Sequence, residues 1–391
     1  MELTVLLLIL LILYTYIGYG GVVFLLVKLK PKGDFAYQNQ YFPSVSLIIP
    51  YYNEKAGLQF KIDNTLQLDY PVDKLEIIFV SDGSDDGSDD ILKGNYSIKS
   101  IRVPKRGGKF AAMKKAVAES NGSILVFSDA NTLLNQSAIK ELIRPYQDSK
   151  VGAVTGEKRI ITLQSEGASS KGEGVYWKYE SFLKRLDSYF YTQVGGDGGL
   201  MSYRRELFED LPDDTILDDF MLSMRVAENG YLVKYAPMAE ALEYSSSSVR
   251  EEIKRKIRIA AGGWQSIFRL SKAINPFYDF RLFFQYVSHR VLRWTVCPFL
   301  LPVIFLLNHF LVGISQNRLW DVLLVAQYLF YALALLGYWA RDKAIPIVGF
   351  FIPYYFSVMN YCAIRGFFRW LTGGQAVTWQ RAERANEKGL G

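Results

Sequence analysis

Apolar positions fall in two rhythms along the chain. Leu3 to Leu26 is almost unbroken by charge and is long enough to cross a bilayer. From Val45 the apolar runs become short, and polar turns separate them: Val45 to Ile49, Leu75 to Val80, a weaker Ile101 to Val103, and Ile124 to Phe127. Such runs suit strands buried on both faces of a parallel sheet. Helical patterns lie between them, over Ala56 to Leu66, from Lys109 to Ser120, and over Ser137 to Tyr146. Strands alternating with helices predict an α/β domain with a doubly wound, mostly parallel sheet. Long apolar runs return at Val291 to Ile314, Trp320 to Ala340 and Ala344 to Ile364. Before them, Asn275 to Arg293 alternates aromatics with Arg281, His289, Arg290 and Arg293, the pattern of a helix lying in a membrane interface. The predicted organisation is a transmembrane helix over 1–28, an α/β domain over 44–270, an interfacial amphipathic helix over 275–290, about three membrane segments over 291–364, and a basic tail over 365–391.

Polar chemistry follows each short run. The first ends at Pro50-Tyr51-Tyr52-Asn53-Glu54, and the second at Ser81-Asp82-Gly83-Ser84. The third leads into Lys105-Arg106-Gly107-Gly108-Lys109, and the fourth ends at Asp129, with Asn131 two residues on. Open α/β sheets bind ligands at the carboxyl ends of their strands, so these groups should share one edge. Asp129 and Asn131 fall on one side of an extended backbone. Their oxygens suit Mg2+ or Mn2+ with substrate phosphates completing the shell; an Asx turn capping the strand accounts for the same residues. Gly172 to Tyr191 reads as an amphipathic helix rich in aromatics, and Gly195 to Gly199 permits close backbone approach or a flexible hairpin. Asp213, Asp214, Asp218 and Asp219 precede an apolar helix at Met221 to Ala227, where acids also compensate the helix dipole. Arg255 and Arg258 share a helix face, which suits a diphosphate or lipid headgroups.

Composition narrows the picture. The 391 residues are 50% hydrophobic and 15% aromatic, with a formal net charge of +6. Much of the excess charge flanks apolar runs, which points to a membrane partner rather than nucleic acid. Lys28, Lys30 and Lys32 follow the first run and place the N-terminus outside and the α/β domain in the cytoplasm. No basic start or Ala-x-Ala site marks a cleaved leader. Four full spans would then put the tail outside, whereas Arg365, Arg369, Arg381 and Arg384 argue for inside; a re-entrant segment or a failure of the charge rule would reconcile the two. Cys297 and Cys362 lie in apolar segments and suggest neither a disulfide nor zinc. His289 and His309 are remote from the acidic motifs, which argues against a Ser/His triad.

In this order and spacing the motifs resemble the membrane-integrated family 2 inverting glycosyltransferases, the group containing cellulose, chitin and hyaluronan synthases. The resemblance covers about Ser44 to Arg269 and the membrane layout. It implies a GT-A sheet holding a nucleoside diphosphate sugar, most often a UDP-sugar. By that resemblance Pro50, Tyr52, Glu54, Asp82 and Lys109 bind the nucleotide end of the donor, and Arg255 and Arg258 its diphosphate. Asp129, with Asn131, would hold the divalent cation; Asn131 departs from the family's usual second aspartate. Asp219 matches the catalytic base, with Asp218 at the preceding Glu position, and Gly198, Asp218 and Trp264 would face the acceptor. Ile259 stands where the family has a Trp after the arginine, and Trp264 comes later. The implied partners are a nucleotide sugar, a glycan or lipid-linked acceptor and the bilayer, with an inner-membrane location. Single transfer to a lipid, or a non-catalytic scaffold, are the competing readings.

Overall fold

A computed structural model describes residues 1–30, 40–161, 169–244, 249–340 and 348–375. The chain folds as two compact units. One comprises Met1–Lys30, Thr162–Leu186 and Ser248–Gln375; the other comprises Pro31–Ile161 and Asp187–Ser247.

The second unit is built on one eight-stranded sheet. Its strands are β1 (Val45–Tyr51), β2 (Leu75–Ser81), β3 (Lys99–Arg102), β4 (Ile124–Ser128), β5 (Thr132–Leu134), β6 (Val151–Ile161), β7 (Leu200–Arg204) and β8 (Leu232–Tyr244). They lie in the order β3-β2-β1-β4-β7-β6-β8-β5. The first four are mutually parallel, with β1 central: Leu47 is in register with Ile77 of β2 and Val126 of β4. Every residue of β1 and of β4 is buried, as their unbroken apolar runs require. Pro50 is tolerated in the central strand because the pairing of β1 with β4 ends at Ile48, so the missing N–H costs no bond on that side.

The other half of the sheet is mixed. β7 runs antiparallel to β4 and to β6, β8 is parallel to β6, and β5 is antiparallel to β8. None of β5 to β8 follows from the apolar runs, for a physical reason. β6 and β8 carry Gly152, Gly156 and Pro237, charges at Glu157, Lys158 and Lys234, and register shifts at Val151/Ala153 and Gly156/Glu157. β6 and β8, partly polar and bulged, lose the simple rhythm, and β5 and β7 are only three and five residues long. The expected helix at Ser137 to Tyr146 is shorter, Ala138–Ile143, and continues as a 3-10 turn where Pro145 cannot donate.

Leu47, Ile49, Phe79, Val126, Leu142 and Tyr146 belong to one core beneath the sheet. The turn entering β4 is packed just as tightly. Gly122 donates its N–H to Ser46 Oγ at 2.8 Å, and a Cβ there would lie 2.3 Å from the Ser46 nitrogen.

In the first unit three helices, Glu2–Leu29, Val296–Ile314 and Leu319–Ala340, are long and apolar enough to cross a membrane. The fourth apolar run forms the helix Val348–Leu371, which carries Pro353, Asn360, Arg365 and Arg369. The expected interfacial helix begins later than the sequence suggests. Asp279 caps it by accepting from the N–H groups of Arg281 and Leu282 at 2.9 and 3.2 Å. A helix then spans Phe280–Tyr286 and a π turn Val287–Val291. Arg281 stays exposed, while three later basic side chains face one buried acid: Arg290 lies 2.6 Å from the Glu180 carboxylate, with His289 and Arg293 each 3.4 Å away. Lys32, Arg381 and Arg384, which entered the topology reading, lie outside the described residues.

Gly122→Ala must push two paired strands apart. We expect it to cost about 1–3 kcal/mol, read as a clear drop in Tm; an unchanged Tm would contradict the packing of this turn.

Candidate active site

The chemistry of the α/β unit collects where β2 and β4 end and where a later helix begins. Asp82 follows β2 and is 2% exposed. Its carboxylate accepts the N–H groups of Gly107 at 2.8 Å and Gly108 at 3.0 Å. Burial raises the Asp82 carboxyl, and these two amides and the Arg106 guanidinium oppose the rise. Arg106 stacks on the Tyr52 ring, 3.8 Å from its centroid. By accepting those two amides, Asp82 anchors the glycine turn that launches the helix Lys109–Ala118. Glu54, 5% exposed, starts the helix Lys55–Leu66, and its N–H donates to Ser88 Oγ at 3.0 Å.

Lys109 is the junction of the site. Its Nζ lies 2.5 Å from Asp129 Oδ1, just past the end of β4. A Cβ placed on Gly198 would lie 3.0 Å from Asp219 Oδ2 and 3.1 Å from Lys109 Nζ, so Gly198 sits between the two, and the ammonium acts on the Asp219 carboxylate through charge rather than by a direct ion pair. Only glycine leaves room between them. Burial acts to lower the Lys109 pKa, but Asp129, Asp218 and Asp219 outweigh it and hold the group well above its ordinary value.

Asp219 opens the helix Asp218–Glu228. Its Oδ2 accepts from the Gly198 N–H at 2.7 Å and its Oδ1 from its neighbour Phe220 N–H at 2.7 Å. Burial pushes its pKa up to about 6, helped by Asp218 and Asp197 and opposed by Lys109. Asp218 Oδ2 is buried with no hydrogen-bond partner. A buried acceptor left open is costly unless something arrives to donate to it.

The residues offer little for a metal on their own. Among the described residues no group of three His, Cys, Asp or Glu could hold an ion. Asp129 is one-third exposed, at 33%, with one oxygen on Lys109, and Asn131 adds an amide oxygen two residues on. One carboxylate and one amide fit a hard divalent cation whose remaining ligands are phosphate and water oxygens.

Lys61 escaped the sequence reading. It is fully buried, and its Nζ donates to Ser128 Oγ at 2.8 Å and to the Thr132 carbonyl at 2.7 Å, on either side of the Asp129 turn. Burial lowers its pKa to about 7, with Asp129 opposing. The signal was a lysine on the same helical face as Leu58, Ile62 and Thr65, all buried.

Arg255, Arg258 and Trp264 belong to the other unit, on the helix Val249–Arg269. Arg255 grips Glu252 through two hydrogen bonds, at 2.9 and 2.7 Å. Trp264 packs on Phe367 and Trp370, and its indole nitrogen is buried without a hydrogen-bond partner.

A GT-A-type sheet whose strand ends gather three aspartates and a lysine is the framework of a sugar-transfer domain. Residues 46–212 match the profile of glycosyl transferase family 2. The chain is 28% identical over 266 residues to a probable glycosyltransferase, YdaM, of Bacillus subtilis, a match covering 62% of each protein. It is 25% identical over 263 residues to a poly-beta-1,6-N-acetyl-D-glucosamine synthase of Staphylococcus epidermidis, covering 64% of this chain and 62% of that one. The match thus spans under two thirds of these curated relatives. In structure, the chain is similar to a mannosyltransferase from Pyrobaculum calidifontis in complex with GDP-Man and Mn2+, with TM-score 0.70, 22% identity, and coverage of 95% of this chain and 99% of that one.

A carboxyl raised from 3.8 to about 6 stabilises the fold while protonated, and that contribution is lost as pH rises through this window. Relative to the parent protein, Asp219→Asn should therefore gain Tm as pH rises from about 4 to about 6, then level off. A Tm difference that is flat in pH would refute the raised pKa.

Proposed function

We propose that this protein is a membrane-bound inverting glycosyltransferase. It moves a sugar from a nucleotide sugar, a UDP-sugar by family preference, to a growing polysaccharide or lipid-linked glycan at the cytoplasmic face. The observation that carries the reading is the Asp219 carboxylate, with a pKa near 6, held by the Gly198 amide and under the charge of Lys109, which is itself ion-paired with Asp129. A base should have a pKa close to the working pH, and burial among acids supplies one here.

Asp219 takes the proton of the acceptor hydroxyl as that oxygen attacks the anomeric carbon. The bond to the diphosphate breaks on the opposite face, and its electron pair stays with the departing phosphate oxygen. One displacement inverts the centre and needs no covalent intermediate. The buried, open Oδ2 of Asp218 is an acceptor for a sugar hydroxyl and would orient the incoming group. A divalent cation held at Asp129 and Asn131 would neutralise charge on the leaving diphosphate. Lys109 brings a second positive charge to the same place; two unit charges near 4 Å interact by about 4 kcal/mol at an effective dielectric of 20. The relative named as a poly-beta-1,6-N-acetyl-D-glucosamine synthase makes an N-acetylglucosamine nucleotide the first donor to try.

Single transfer to a lipid is the second reading, favoured by Ile259 in place of the expected Trp. Long polymer against a one-sugar lipid product separates the two.

Asp219→Asn should lower transfer at least about 100-fold with nucleotide binding largely kept. In the parent protein the rate should fall as pH drops below about 6, because protonation removes the base. Turnover equal to the parent's would end the mechanism. Transfer should also stop in excess chelator and return with Mg2+ or Mn2+; full activity in chelator would exclude the cation role of Asp129.

A further inference from the structure

Behind the site lies a charge that the proposed chemistry does not use. Lys61 sits on the helix Lys55–Leu66 and is fully buried. Its partners close a small network of oxygens. Ser128 Oγ lies 3.0 Å from Thr132 Oγ1 and donates toward the Gly199 carbonyl at 3.2 Å. Thr132 Oγ1 donates to the Asp129 carbonyl at 2.8 Å. One helical turn on, Asn64 exchanges two hydrogen bonds with Leu134, each 2.8 Å. The helix therefore grips both ends of the Asp129–Asn131 turn, and the network reaches the backbone of Gly199. Gly199 adjoins Gly198, whose N–H holds the Asp219 carboxylate.

We propose that Lys61 is a positioning residue: its buried ammonium locks the Asp129–Asn131 turn to the Gly198–Gly199 loop and thereby fixes the donor-side carboxylate relative to Asp219. The inference rests on the reading of Asp129 as the donor and cation residue and of Asp219 as the base. The case is one of geometry. A buried lysine loses rotamer freedom and hydration, and several close oxygens must replace the lost water. Apolar packing would have filled this place with a leucine at lower cost. What the ammonium adds is direction, because its hydrogen bonds point to both flanks of one turn. It touches neither Asp129 nor Asp219 by any hydrogen bond described, so it acts through Ser128, Thr132 and Gly199.

The test uses the full-length protein in detergent or nanodiscs. Lys61→Met keeps the length of the side chain and removes its donors; Ser128→Ala leaves the lysine in place and removes the shorter of the two hydrogen bonds to the Gly199 carbonyl, leaving the one from Thr132 Oγ1 at 3.4 Å. Binding of UDP and GDP is measured by calorimetry with and without Mn2+, beside kcat, KM and Tm. For Lys61→Met we expect the Mn2+-dependent gain in nucleotide affinity to shrink about tenfold and the donor KM to rise with it. Ser128→Ala should show the same changes at about threefold, with Tm close to the parent's. A merely structural lysine would lower Tm and leave both readouts unchanged in the folded protein, and that result overturns the proposal. If Lys61→Met does not fold, an Mn2+ response in Ser128→Ala equal to the parent's overturns it as well. A parent protein that binds no nucleotide under any condition would instead overturn the proposed function, and this inference with it.

Discussion

Everything in the α/β unit turns on keeping several carboxylates close together at the end of a sheet. Asp129, Asp218 and Asp219 all act on Lys109 in a partly buried place. Like charges there repel, and the Lys109 ammonium, paired with Asp129 and attracted by Asp218 and Asp219, offsets them. The balance is incomplete by design of the residues: Asp219 stays well above the ordinary carboxyl range, and Asp218 keeps an oxygen with nothing donating to it. Both features cost stability in the resting protein, and both match what a sugar-transfer site would ask of a base and of an acceptor subsite.

The backbone is arranged to hold that balance. Lys109 begins a helix launched from a glycine turn, and Asp82 fixes that turn by accepting its two amides. Asp219 begins another helix and is gripped by the Gly198 amide. Asp129 lies just past the end of β4, its turn clamped from behind by Lys61. Each charged group is thus set by a strand end or a helix start and not by a long free loop. Side chains placed this way lose little entropy when a ligand arrives, which is how a site gains rate from position alone.

Much of this was readable in the chain. Buried parallel strands are continuous apolar runs, so β1, β2 and β4 stood out, and their carboxyl ends named Glu54, Asp82, Lys109 and Asp129. The edge half of the sheet was not readable: β6 and β8 are long, bulged and partly polar, and their pairing depends on contacts far along the sequence. Partner identity was hidden in the same way. Asp82 also holds the Gly107 and Gly108 amides, a contact that only the folded turn reveals. Lys61 hid because a lone lysine in a mixed helix looks like a solvated face. Asp219 was singled out by its motif; its environment, which sets its pKa, was not in the motif. The basic run around Arg255 read as a diphosphate clamp, and within its own helix Arg255 is committed to Glu252.

The asparagine at 131 fits the same charge logic. A second aspartate there would add one more negative charge to a turn that already sits among Asp129, Asp218 and Asp219, with one lysine to offset them at the front. Replacing it by an amide eases the repulsion in the resting site and weakens the hold on a free cation. On the proposed reading, an ion at Asp129 then draws most of its binding from the donor's diphosphate, so ion and nucleotide stabilise each other at the site. The cation would arrive with the group whose departure it assists, and Lys109 would cover the carboxylate at other times. A site built so is guarded against holding a bare metal ion beside its own base, and the cost of that guard is a firmer demand on where the Asp129 turn is placed.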